Sequence, residues 1–191
     1  LKNHESGHEA QFKMALTSYF KTDFDWAQKQ FKVLKQSTSL LIANDALDYF
    51  LLINDVTQQD TVKVSLTKFA KADFLKFKKQ NTQAQTAYTA ILKEHAGEAI
   101  EDVTLYRLAQ VNHDLALPKQ AIANLELLLQ KFPESLYRDD AYFLLGNWYS
   151  ENIDLEKAKQ NFENIIINHQ NSIYFLEAQT KYRKLRGDQN I

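Results

Sequence analysis

The stretch Asp139-Asp140-Ala141-Tyr142-Phe143-Leu144-Leu145-Gly146-Asn147-Trp148-Tyr149 decides the fold, together with the run that follows Asn152-Ile153-Asp154. Ala141, Leu144, Leu145, Trp148 and Tyr149 recur at helical spacing, and after the break Leu155, Ala158, Phe162, Ile165 and Ile166 do the same. Asp139 and Asp140 place negative charge at the start of the first helix, where the backbone dipole favours it. Asp154 suits the N-cap of the second. Gly146 and Ala158 stand twelve residues apart, on facing helices of one hairpin. Small side chains there let the two backbones cross closely, and the ring of Phe162 fills the space beside the crossing.

The same columns recur with a period of 37 residues. Ala84, Ala121 and Ala158 form one column; Ala72, Ala109 and Gly146 form another. Tyr88, Leu125 and Phe162 keep the register, as do Phe69, Tyr106 and Phe143, and Ser135/Ser172 with Tyr137/Tyr174 follow. Ala27 set in register gives a further unit with Ala15, Phe31 and Leu34. Helix pairs of this kind bury their apolar faces only by stacking on neighbours. The spacing predicts units at about 8–38, 61–97, 98–135 and 136–172, with a closing helix at 173–186, in one domain over 1–191. The register breaks once, because Ala27 to Ala84 is 57 residues. The extra stretch, 39–60, reads as a degenerate unit. A helix is expected from about Asn44-Asp45-Ala46-Leu47 to Asn54, a loop at Val56-Thr57-Gln58-Gln59-Asp60, and a long helix over Thr61–Lys79 that merges with or replaces its second helix.

Composition agrees. Four glycines and two prolines in 191 residues compare with roughly 13 and 10 at average usage. Sandwiches and barrels need more turns than these allow, and no glycine-rich phosphate loop is present. Hydrophobic residues make up 45% of the chain, enough for a core. The absence of cysteine excludes disulfides, thiolate metal sites and a cysteine nucleophile. With 23 basic against 24 acidic residues, the excess expected of a nucleic-acid binder is missing. No apolar run is long enough for a membrane span. The first residue is Leu1 rather than Met, so the expectation is a C-terminal part of a longer protein, with repeats and any targeting segment upstream.

A small residue, an alanine twelve residues later, an aromatic four beyond it and Pro133 at the end resemble the tetratricopeptide repeat, over about residues 8–186. That repeat is about 34 residues long, and the surplus here falls after the proline column, in Pro133-Glu134-Ser135-Leu136-Tyr137-Arg138-Asp139-Asp140-Ala141. This connector resembles those of tetratricopeptide domains in bacterial cell-envelope proteins. The resemblance implies an all-α, right-handed solenoid of about ten helices, with a periplasmic or outer-membrane-associated location. It also implies a concave groove lined by the first helices. Carried over position by position, the groove residues are Phe12, Phe69, Tyr106 and Phe143 in the aromatic column, Asp73, Gln110 and Asn147 in the next, and His113 and Ser150 in the last. Aromatics spaced along one face can anchor a peptide; they can equally be consensus packing. The clamp for a C-terminal carboxylate lacks its cations, since only Asn147 matches it.

Catalytic and metal chemistry find little support. His4-Glu5-Ser6-Gly7-His8 spells the zinc-peptidase string, yet it contains a glycine, lacks an apolar helix around it and falls where a connector belongs. His113-Asp114 reads as an acid/base pair or as a surface pair near a helix C-terminus. Glu101, Asp102, Asp139 and Asp140 recur at repeat starts, which favours capping over paired catalysis. The lysines of 63–79 read as a solvated face or as a patch for an anionic partner. The expectation is therefore a non-catalytic scaffold, without metal or cofactor, that binds an unidentified protein or peptide and not nucleic acid. Self-association is the alternative.

Overall fold

The computed structural model describes residues 5–37, 39–60 and 62–188. Among them are ten α-helices and no strand: α1 (Glu5–Phe20), α2 (Phe24–Leu34), α3 (Leu40–Gln59), α4 (Val64–Phe77), α5 (Asn81–Glu94), α6 (Glu101–Asp114), α7 (Pro118–Lys131), α8 (Arg138–Glu151), α9 (Leu155–Asn168) and α10 (Phe175–Arg186). The all-α expectation of consecutive antiparallel pairs holds. The chain divides into two compact units, Leu1–Thr104 and Leu105–Ile191, with the division inside α6.

Four hairpins close on one turn. Thr22, Lys79, Ala116 and Ile153 each take a left-handed backbone, at φ 63, 60, 57 and 63°. The next residue returns its N–H to the carbonyl five positions back: Asp23 to Ser18, Gln80 to Leu75, Leu117 to Asn112 and Asp154 to Tyr149. This is the Schellman closure of a helix, usually built on glycine. The residue that closes one helix also starts the next. Asp23 and Asp154 accept from the N–H groups of Trp26 and Lys157. Behind Leu117, Pro118 occupies a first-turn position that needs no N–H. Three linking residues suffice, which explains how hairpins form in a chain so poor in glycine.

In the first unit, α1 packs on α2, α2 on α3 and α4 on α5. Tyr49 of α3 stacks on Phe31 at 5.0 Å and meets Tyr19 edge-on at 4.9 Å. α3 is longer than the sequence suggests. Val56 through Gln59 is helical, not a loop, because Val56 continues the buried face of Leu52 and Ile53 and no breaker interrupts it. The Thr57 hydroxyl also bonds back to the Ile53 carbonyl at 2.7 Å. α4 is shorter than expected. Asp60 stops the chain before it, accepting from the N–H groups of Val62, Lys63 and Ser65 and from the Ser65 hydroxyl. Burial raises the Asp60 pKa, but these bonds together hold its carboxyl below the usual range.

In the second unit, Gly146 is buried under Phe162. A β-carbon added there would lie 2.5 Å from that ring, so the close crossing read from the sequence is real. Phe143, Phe162, Ile165 and Ala178 form a core, with Tyr142, Tyr174, Tyr182 and Leu185 against it. The long connectors have a task as well. The Ser135 and Ser172 hydroxyl oxygens accept from the N–H of Tyr137 and Tyr174. Tyr137 then stacks on Tyr106 at 4.9 Å, and Tyr174 on Phe143 at 4.3 Å.

Candidate binding surface

Three of the predicted groove residues lie in the first unit. Phe12 is half-buried, edge-on to Phe31 at 5.7 Å. Phe69 is fully buried beside Tyr88. Asp73 is buried between two hydroxyls, accepting from Tyr19 at 3.2 Å and from Tyr88 at 2.5 Å. Its carboxylate thus ties α1, α4 and α5 together. Phe69 and Asp73 present almost no surface to a partner.

The other six lie in the second unit, on α6 and α8. Tyr106 and Phe143 are 7% and 9% exposed, because the connector tyrosines cover them. Gln110, His113, Asn147 and Ser150 are half-buried. Gln110 accepts from Arg107 at 3.4 Å, and the Ser150 hydroxyl bonds back to the Gly146 carbonyl at 2.8 Å. His113 lies flat on Trp148, with ring centres 4.5 Å apart, and its Nε2 meets Glu151 at 3.0 Å. The helices are joined again at their other ends, where Asp140 accepts from Tyr106 at 3.2 Å and from Tyr174 at 2.8 Å. Burial pushes the Asp140 carboxyl above its ordinary range; the tyrosine hydroxyls pull it down, and neighbouring Asp139 pushes it up. What α6 and α8 display is therefore a polar row above a buried aromatic floor, with cationic Arg107 and anionic Glu151 among its neighbours.

Sequence reasoning missed Trp148 and Glu151 as parts of this surface. It registered Tyr137 and Tyr174 as a repeating column without the stack that column makes. Of the other acidic repeat starts, Glu101 accepts from the Gly97 N–H at 2.6 Å. The zinc-peptidase string is also corrected in part. His8 lies within α1 rather than in a connector, and its Nδ1 meets the Ser37 hydroxyl at 2.8 Å. His4 lies outside the described residues. Among the described residues, no three His, Asp or Glu side chains are grouped to hold a metal, and no helix is long and apolar enough to cross a membrane.

These features define a class, a stack of antiparallel helix pairs that offers side chains from its first helices. The tetratricopeptide repeat family matches residues 104–135 and 140–172, so both repeats of the second unit are similar to that repeat. Tetratricopeptide repeats generally mediate protein–protein interaction, and the family is typically a non-catalytic scaffold. No curated protein matches the chain.

Proposed function

We propose that the chain is a non-catalytic scaffold that binds a segment of a partner protein along α6 and α8, within a bacterial envelope assembly. The observation that carries this reading is the pair Gln110 and Asn147. These carboxamides occupy the same repeat position 37 residues apart, half-buried, on successive first helices. Each offers a donor and an acceptor, which suits the main chain of an extended peptide. His113 and Ser150 flank them and supply selectivity. The Ser-x-Tyr connectors, which resemble those of envelope proteins, support the location. The test is capture from bacterial envelope fractions with the intact chain and with Gln110→Ala/Asn147→Ala. A protein retained by the first and lost by the second, at unchanged melting temperature, is expected. Identical captured sets would defeat the assignment.

Self-association is the second reading, favoured by the exposed apolar side chains of Ile167, Ile173 and Leu176 around the start of α10. Sedimentation velocity over a concentration series decides it, and a strict monomer throughout counts against it.

A further inference from the structure

An aromatic cluster on the first unit takes no part in the surface described above. Phe20 ends α1 and Phe77 ends α4, with Phe74 one turn earlier. The Phe20 ring lies 5.1 Å from Phe74 and 5.4 Å from Phe77. Phe77 is 65% exposed and Phe74 38%. Lys78 sits over the Phe74 ring at 4.5 Å. Lys21 follows Phe20, Lys79 follows Lys78, and Lys71 lies one turn before Phe74; all three are exposed, with no ion-pair partner among the described residues.

Along α4 and its C-terminal turn no surface carboxylate offsets the lysines. Between Thr61 and Lys93 the only acidic residue is Asp73, which is buried under two tyrosine hydroxyls. Near the α1–α2 turn, Asp23 caps α2 and Asp25 pairs with Lys63 at 2.6 Å. Trp26, in the first turn of α2, is 56% exposed. Rings and lysines thus gather at the turns of two adjoining hairpins. A cavity of about 410 Å³ in this unit lies elsewhere, lined by Gln59, Asp60, Val64 and His95.

We infer that the α1–α2 and α4–α5 turns form a docking surface for an anionic lipid interface. Rings without polar handles enter the headgroup boundary. Lysines on the adjoining turns extend their ammonium groups to the phosphates, and Trp26 has the amphipathic ring that favours this depth. Helix tips next to tight turns suit a flat target, whereas a peptide is held in a groove.

The test is co-sedimentation of the full chain with vesicles of phosphatidylcholine mixed with phosphatidylglycerol, against phosphatidylcholine alone. Binding to the mixed vesicles only, weakened by salt, is expected. Lys78→Glu/Lys79→Glu should lower the partition roughly tenfold or more, and Phe77→Ser should lower it at any salt concentration. Circular dichroism melts identify the temperature at which each variant is fully folded, and binding is compared there. Equal binding by the folded variants, or no binding to anionic vesicles, overturns the proposal. Binding of poly-glutamate through the same lysines while vesicles are ignored also overturns it, in favour of an acidic protein.

Discussion

Ile153 holds a backbone that β-branched residues avoid. It sits in the left-handed region at φ 63° and is 82% exposed at the tip of the α8–α9 turn. An L-residue there costs about 1–2 kcal/mol. Glycine removes that cost, but its freer unfolded chain gives back about 0.5–1 kcal/mol. The small buried part of the side chain is worth only a few tenths of a kcal/mol, or roughly 0.3. Ile153→Gly should therefore stabilise the second unit by about 0.5 kcal/mol, and by up to about 1. For a unit of this size the melting midpoint rises by roughly 2–8 °C. The assay is paired calorimetry and urea unfolding of Ile153→Gly and Ile153→Ala. Alanine keeps the β-carbon that clashes in this region, so it should recover only part of the gain. Gly187, at φ 88°, closes α10 on the same backbone and shows the preferred residue. If Ile153→Gly melts no higher than Ile153→Ala, the turn is not strained at this position and the reasoning fails.

Two further outcomes follow from the second unit. Gly146→Ala places a carbon 2.5 Å from the Phe162 ring, so it should destabilise by about 1–3 kcal/mol; an unchanged melting curve would refute the close crossing. Asp140→Asn keeps an acceptor oxygen for Tyr106 and Tyr174 while removing a charge that burial disfavours. Because the folded pKa is raised, the contribution of Asp140 to stability is fullest below its ordinary range, near pH 4, and is lost as pH rises through the folded value. The asparagine variant should thus match or exceed the parent at pH 7, with the difference shrinking towards pH 3. Urea melts at both pH values check this, and a less stable variant at pH 7 contradicts it.

Periodicity carried much of the fold, because Gly146, Ala158 and Phe162 report a close crossing wherever they fall in one register. It failed where local chemistry gave no sign. Val56 looked like loop because polar residues follow it, yet its apolar face extends α3. The left-handed turns at Thr22, Lys79, Ala116 and Ile153 were hidden, since none of these residue types advertises a positive φ. For the candidate surface, the 37-residue columns identified a helix face but not its cover. Tyr106 and Phe143 read either as anchors or as packing, because the tyrosines that close over them arrive 31 residues later, as the Tyr106–Tyr137 and Phe143–Tyr174 pairs show. Asp140 read as a cap, and only the folded neighbourhood reveals two hydroxyls converging on it.

The connector tyrosines also alter the phase in which this array should be cut or copied. A boundary drawn after the second helix, at 135 or 172, separates Tyr106 from Tyr137 and Phe143 from Tyr174, leaving an uncovered ring on one fragment and an idle one on the other. The block that keeps both stacked pairs intact runs instead from the start of a first helix through the next tyrosine, 101–137 and 138–174. Duplication or deletion in that frame carries each ring with its lid. A boundary inside either pair leaves a seam.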